Sequence, residues 1–119
     1  MKLLANLAVI IVALLHFGFL ALEMFFWDHP IGREIFAMTP EQSADTAVLA
    51  ANQGLYNGFL AAGLLWGVLA RKIDIVVFLL LCVIVAGVFG AVTAKPTILL
   101  TQAAPALVAL VLTLTFNRR

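Results

Sequence analysis

Charge is what this 119-residue chain has least of: 11% of its residues are Asp, Glu, Lys or Arg, against about 25% in an average globular domain. The seven basic and six acidic residues nearly cancel to +1, so no basic field is left to neutralise phosphates, which argues against a nucleic-acid binder. Cysteine is also nearly missing. Cys82 stands alone in an apolar run, which excludes a disulfide framework and a thiolate metal cage. No Cys-x-x-Cys, Gly-x-Gly-x-x-Gly, phosphate-loop or His-Glu-x-x-His pattern occurs. What is present is hydrocarbon: 65% of residues are hydrophobic and the mean hydropathy is +1.16, more than one small core can hide. The composition points to a membrane protein.

Four apolar stretches follow one another, Leu3 to Trp27, about Ala44 to Ala70, Ile73 to Thr93, and Thr97 to Phe116. Each meets the ~20 residues that an α-helix needs to cross ~30 Å of hydrocarbon. The first exceeds the 7–15 apolar residues usual in a signal peptide and lacks a convincing small-residue cleavage site, so it is read as a span. Lys2, Arg71, Lys72, Arg118 and Arg119 fall on one face of such a bundle, and Arg33 and Lys95 on the other. The positive-inside rule makes the first face cytoplasmic. The expected fold is therefore an all-α, integral membrane four-helix bundle, N-in/C-in, forming a single domain with an outer loop over 28–43.

Within that loop, Trp27 to Gly32 reads as a turn, because Pro30 disfavours helix at His29 and Gly32 is a further breaker. Arg33 to Met38 is expected as a short interfacial helix. Thr39 reads as an N-cap, with Pro40 at the first helical position and Gln42 completing a capping box. A helix from Pro40 to Ala70 would be about 46 Å long at ~1.5 Å per residue, so it must tilt or project beyond a bilayer. Pro96 opens the fourth helix, and Asp74 or a neighbour caps the third.

Polar residues inside spans need a reason, since an ionised side chain at mid-helix costs ~2.5–3.5 kcal/mol on insertion scales. His16 and Glu23 lie seven apart, nearly two turns, on one stripe that leads to Trp27. Glu23 is a candidate acid, base or proton carrier near neutral pH. It also fits a structural bond to Gln53 and Asn52, or a carboxyl reaching for the interface. His16 is either a chemical participant or a neutral imidazole bridging helices. The second span carries Asn52, Gln53, Tyr56 and Asn57 over an arc of ~140° at ~100° per residue, with Gly54 and Gly58 opposite and Gly63 and Gly67 nearer the cytoplasm. These amides fit the polar head of a lipid-like ligand or interhelical hydrogen bonding. Depth matched from the helix ends sets Asn57 level with His16, and Asn52 and Gln53 level with Glu23. Thr101 and Gln102 of the fourth span lie at comparable depth, followed by Pro105, whose missing N–H leaves the Thr101 carbonyl without its helical partner. The third span offers only Cys82 and Thr93, with Gly87 and Gly90 for packing, and reads as a scaffold wall. A metal shared by His16 and Glu23 does not fit, because their Cα atoms are about 10.5 Å apart along the helix while metal–ligand bonds are ~2 Å. No metal site is expected. Phe25, Phe26 and Trp27 read as an interfacial aromatic belt, and Asp28, His29, Arg33 and Glu34 as a solvated loop or a lid.

Glu-Met-Phe-Phe-Trp at 23–27, Gly32-Arg33 with Phe36, and Ala-Asn-Gln-Gly-Leu-Tyr-Asn-Gly-Phe-Leu-Ala-Ala-Gly at 51–63 together resemble a family of small bacterial four-helix membrane proteins. That family is catalogued only as domain-of-unknown-function family thirteen-oh-four. The likeness covers essentially the whole chain. It implies a bacterial inner-membrane protein and brings no established activity, cofactor or catalytic residue. The similarity to four-helix microsomal glutathione transferases stops at size and an Asn-bearing second helix, their Arg and Glu pattern being missing. Small multidrug exporters share only size and one acid in the first helix.

The expected function is binding of a small amphiphilic or lipid-like molecule in an outward-facing pocket lined by His16, Glu23, Asn52, Gln53, Tyr56, Asn57 and Gln102, with Glu23 and His16 as catalytic candidates if the head group is transformed. The alternatives are a proton-coupled exporter using Glu23, and an accessory subunit whose polar stripe docks a larger membrane partner. A homodimer through Gly54 and Gly58 would suit the exporter, since four helices enclose little space. The residues identify no cofactor.

Overall fold

The computed structural model describes residues 1–117; Arg118 and Arg119, counted above toward the cytoplasmic charge, lie outside them. The described residues are all-α, without a strand. The helices are α1 (Lys2–Met24), α2 (Pro30–Ile35), α3 (Pro40–Leu69), α4 (Ile73–Thr93) and α5 (Ala104–Phe116), with a π-helical turn, Leu99–Ala103, leading into α5. Among the described residues three helical segments are long and apolar enough to cross a membrane: α1, α4 and the joined segment Leu99–Phe116. The longest helix, α3, is not one of them, because its amides at 52, 53 and 57 and its charged first turns lower its apolarity. Of the four apolar stretches expected as spans, three thus meet that measure as helices and the second, α3, does not.

The chain divides into two compact units, Met1–Leu15 with Leu60–Arg119, and His16–Phe59. The first unit is held by apolar packing. Val9, Val12 and Ala13 from α1, Ala61 and Leu64 from α3, and Val76, Leu80 and Val83 from α4 join Ala106, Ala109 and Leu110 from α5 in one buried cluster. Small residues set the approach distances: a Cβ added at Gly87 would lie 2.9 Å from Ala103, and one at Gly67 2.7 Å from Val76. Between lipid-embedded helices such close packing, rather than hydrophobic burial, drives association. The α3–α4 turn closes with Lys72 N–H donating to the Gly67 carbonyl over 2.8 Å, which puts Arg71 in the left-handed region at φ 58°, a position usually given to glycine. Asp74 lies two residues after the cap, its Oδ1 accepting from Ile75 N–H at 3.0 Å, while Lys72 at the N-cap offers no side-chain bond. The π-helical turn stands immediately before Pro105. A proline cannot donate to the carbonyl four residues back and its ring crowds that carbonyl, so the turn widens and Ala104 N–H reaches the Leu99 carbonyl instead. At the far ends of α1 and α5, Asn117 Nδ2 donates to Asn6 Oδ1 over 2.8 Å.

The second unit is held by polar side chains. Thr39 and Gln42 form the expected capping box: Thr39 N–H donates to Gln42 Oε1 (2.9 Å) and Gln42 N–H to Thr39 Oγ1 (3.1 Å). Helix α2 starts three residues earlier than expected. His29 is extended, as proline at the next position requires, and its Nδ1 accepts from Ile31 N–H at 3.1 Å, capping a helix that opens on Pro30. Gly32 is therefore not a breaker. It lies inside α2, where a Cβ would come within 2.0 Å of the Phe26 carbonyl oxygen. α1 ends at Met24 rather than Trp27, and leaving the helix lets the indole turn toward α3.

Candidate functional site

The approach of α3 to the outer end of α1 is decided by two glycines. A Cβ at Gly54 would meet Met24 Cγ at 2.8 Å and Glu23 Cβ at 3.0 Å, and one at Gly58 would meet Leu20 Cδ1 at 2.5 Å. The face expected to receive a second copy of the chain through Gly54 and Gly58 is therefore occupied within the chain by Leu20, Glu23 and Met24. Asn57 lies at the edge of the polar arc nearest this glycine face, about 60° around the helix from Gly54. Its Nδ2 donates to Glu23 Oε1. Glu23 Oε2 takes no hydrogen bond from the described residues, and so remains open to a donor.

The antiparallel register differs from the one matched by depth. Asn57 meets Glu23, not the level of His16, and Trp27 meets Thr46, its Nε1 donating to Thr46 Oγ1 over 2.9 Å. Along α3 the partner of Glu23 moves by about one turn, from Asn52 and Gln53 to Asn57. The shift arises because the loop is taken up by α2 and the capping box, which begins α3 well outside the apolar stretch.

The other expected site residues are placed as follows. His16 is buried, with its ring edge-on to Phe19 at 5.1 Å. Asn52, Gln53 and Tyr56 lie on the exposed side of α3. Asn52 Nδ2 turns back to the Val48 carbonyl at 2.9 Å, and Tyr56 stands edge-on to Phe59 at 5.8 Å. Gln102 belongs to the other unit, where its Nε2 reaches the Val83 carbonyl at 3.5 Å. Of the seven, Glu23 and Asn57 are brought together by a direct bond.

A second polar cluster went unread. Asp28 Oδ1 accepts from Arg33 Nη1 at 2.9 Å and from Ser43 Oγ at 2.8 Å. Ser43 is fully buried, and the Pro40 carbonyl competes for its single proton at 3.1 Å. Thr46 Oγ1 accepts from the indole while donating to the Gln42 carbonyl at 2.7 Å. These bonds turn the loop of Asp28 and Arg33 into a fixed strap against the first turns of α3. The available signal was the spacing of Ser43 and Thr46 at i and i+3, which puts two hydroxyls on one face beside that loop.

Comparison with known proteins adds a family. Residues 10–114 match the family described as protein of unknown function DUF1304. An uncharacterised protein, YpaA, of Lactococcus lactis subsp. lactis (strain IL1403) is 31% identical over 115 residues, spanning 93% of this chain and 97% of the relative. No solved structure matches the chain significantly.

Proposed function

This chain belongs to the DUF1304 family of proteins of unknown function, and on that basis we propose that it is a small multi-pass protein of the bacterial cytoplasmic membrane that holds the head of a small amphiphile at Glu23 and Asn57. Four helices cross in this reading, α3 among them, with both termini on the cytoplasmic side. The bond between Asn6 and Asn117, at the start of α1 and the end of α5, supports that placement of the ends. The observation that carries the ligand reading is the Glu23–Asn57 pair. It is an acid on an apolar helix, held at one carboxylate oxygen by one amide, with the second oxygen open. An acid retained at such a depth marks a functional site by default. A head group bearing a donor completes the carboxylate, the Asn57 carbonyl orients it, and apolar walls take the tail. Acid–base chemistry on that head group falls to Glu23.

Equilibrium binding of a lipophile to the detergent-solubilised chain tests this. Glu23→Gln or Asn57→Ala should weaken binding by about tenfold or more, the scale of one hydrogen bond to a charged group; unchanged binding in both variants refutes it. Mass spectrometry of whatever copurifies identifies the ligand class. The open Glu23 oxygen also favours a second reading, a proton-coupled exporter, because a carboxyl with one fixed bond can exchange a proton for substrate. Proton release on adding substrate separates export from simple binding.

A further inference from the structure

One side of α3 presents polar groups where its neighbours do not cover them. Leu49, Asn52, Tyr56 and Phe59 follow one another at spacings of three, four and three, so they form one stripe along the helix, the spacing of a helix-pairing seam. All four are exposed, Leu49 by 74%, Tyr56 by 61% and Phe59 by 57%. Gln53 flanks the stripe. The Trp27–Thr46 bond sets the aromatic level expected at the membrane interface. At ~1.5 Å per residue Asn52 lies about 9 Å, and Tyr56 about 15 Å, further along α3, inside ~30 Å of hydrocarbon. Facing acyl chains, these groups would have nothing to bond. The described residues do not satisfy them either. Asn52 directs its N–H to Val48 but leaves Oδ1 open, and neither the Gln53 amide nor the Tyr56 hydroxyl has a hydrogen bond among the described residues.

We propose that this stripe is the contact between two copies of the chain, α3 against α3. The set is uncharged and self-complementary: Tyr56 O–H and the Gln53 amide donate, Asn52 Oδ1 accepts, and a second copy in the same orientation brings the same groups to the same depth. An apolar partner would leave the amides unbonded, and a charged one would find no counter-charge. Leu49 and Phe59 close the seam on either side, and a single Asn at a seam position sets register and number of helices. The inference rests on the membrane reading and is independent of the amphiphile at Glu23.

The test uses the full chain in phospholipid vesicles with Cys82→Ser as background. Oxidative cross-linking of Tyr56→Cys should yield covalent dimer, and Val85→Cys, on an exposed position of α4, should yield little. Energy transfer between labelled copies should show that Asn52→Leu with Gln53→Leu and Tyr56→Phe raises the dissociation constant about tenfold, as expected for two or three interhelical hydrogen bonds. These exposed positions become more apolar, so helix formation and insertion are preserved. Dimerisation that persists in Glu23→Gln, whatever that change does to amphiphile binding, supports the proposal. A chain that stays monomeric at every protein-to-lipid ratio, or cross-links equally well at position 85, overturns it. So does capture of a different protein by the stripe in place of a second copy.

Discussion

The unit of residues 16–59 and the unit built around α4 and α5 are assembled from the same helical material by opposite means. Around α4 and α5 the buried side chains are Val, Leu and Ala with the single hydroxyl of Thr113, and glycines at 67 and 87 bring helix backbones together. In residues 16–59 the only buried apolar side chain is Ala50. The rest of its order comes from named polar pairs: Trp27 with Thr46, Asp28 with Arg33 and Ser43, Thr39 with Gln42, and Glu23 with Asn57. Apolar packing tolerates substitutions of similar shape, whereas a hydrogen bond demands both partners in place. The unit that carries the acid is thus the one whose geometry is most narrowly specified.

Three substitutions can break or sharpen this contrast. The largest effect is expected at Gly32→Ala, where the new Cβ would collide with the backbone carbonyl of Phe26. Neither backbone can rotate away as a side chain could, so a loss of about 3 kcal/mol is expected, the upper end for overpacking. Thermal unfolding in detergent should register it, with the Trp27 fluorescence shifted because the strap is displaced. Leu64→Ala, in the centre of the apolar cluster, should cost about 2 kcal/mol through the cavity it leaves. Hydrogen exchange should then quicken in residues 61–69 and 76–83 while residues 40–46 keep their protection. Thr39→Ala should do the reverse at about 1 kcal/mol, the worth of a side-chain cap, quickening exchange over residues 40–46 alone. If Leu64→Ala and Thr39→Ala loosened the same amides, the two units would not be separately maintained.

Much of the local structure was legible. Ser, Thr or Asp before Pro with Gln at the third helical position encodes a cap through bonds between residues three apart, and Thr39 with Gln42 makes both of them. The α4 boundaries, Ile73 and Thr93, were read from a long apolar run flanked by charged turns. A proline defect was expected at Pro105, but the π-helical turn Leu99–Ala103 that precedes it was not, because a proline defect can equally be met by a kink. Gly32 was misread, since a breaker and a close-approach glycine are the same letter. The partnership of Glu23 with an α3 amide was visible as chemistry, but its partner was misplaced by a turn: depth counted from helix ends ignores the residues that α2 and the capping box absorb. Gly54 and Gly58 read as a contact face for a second copy, whereas within the chain they receive Leu20, Glu23 and Met24.

Composition and short-range spacing were enough to establish a helical, apolar chain, the starts of α3 and α4, and an acid among hydrocarbon side chains, because these depend on interactions within a few residues or on averages over twenty. Which face of α3 turns toward α1 was settled by distances that no spacing encodes: the absence of two Cβ atoms at 54 and 58, weighed against Leu20 and Met24, rotates the helix. That rotation joins Asn57 to Glu23 and leaves Asn52 and Tyr56 facing outward, since an arc of 140° cannot all point at one neighbouring helix.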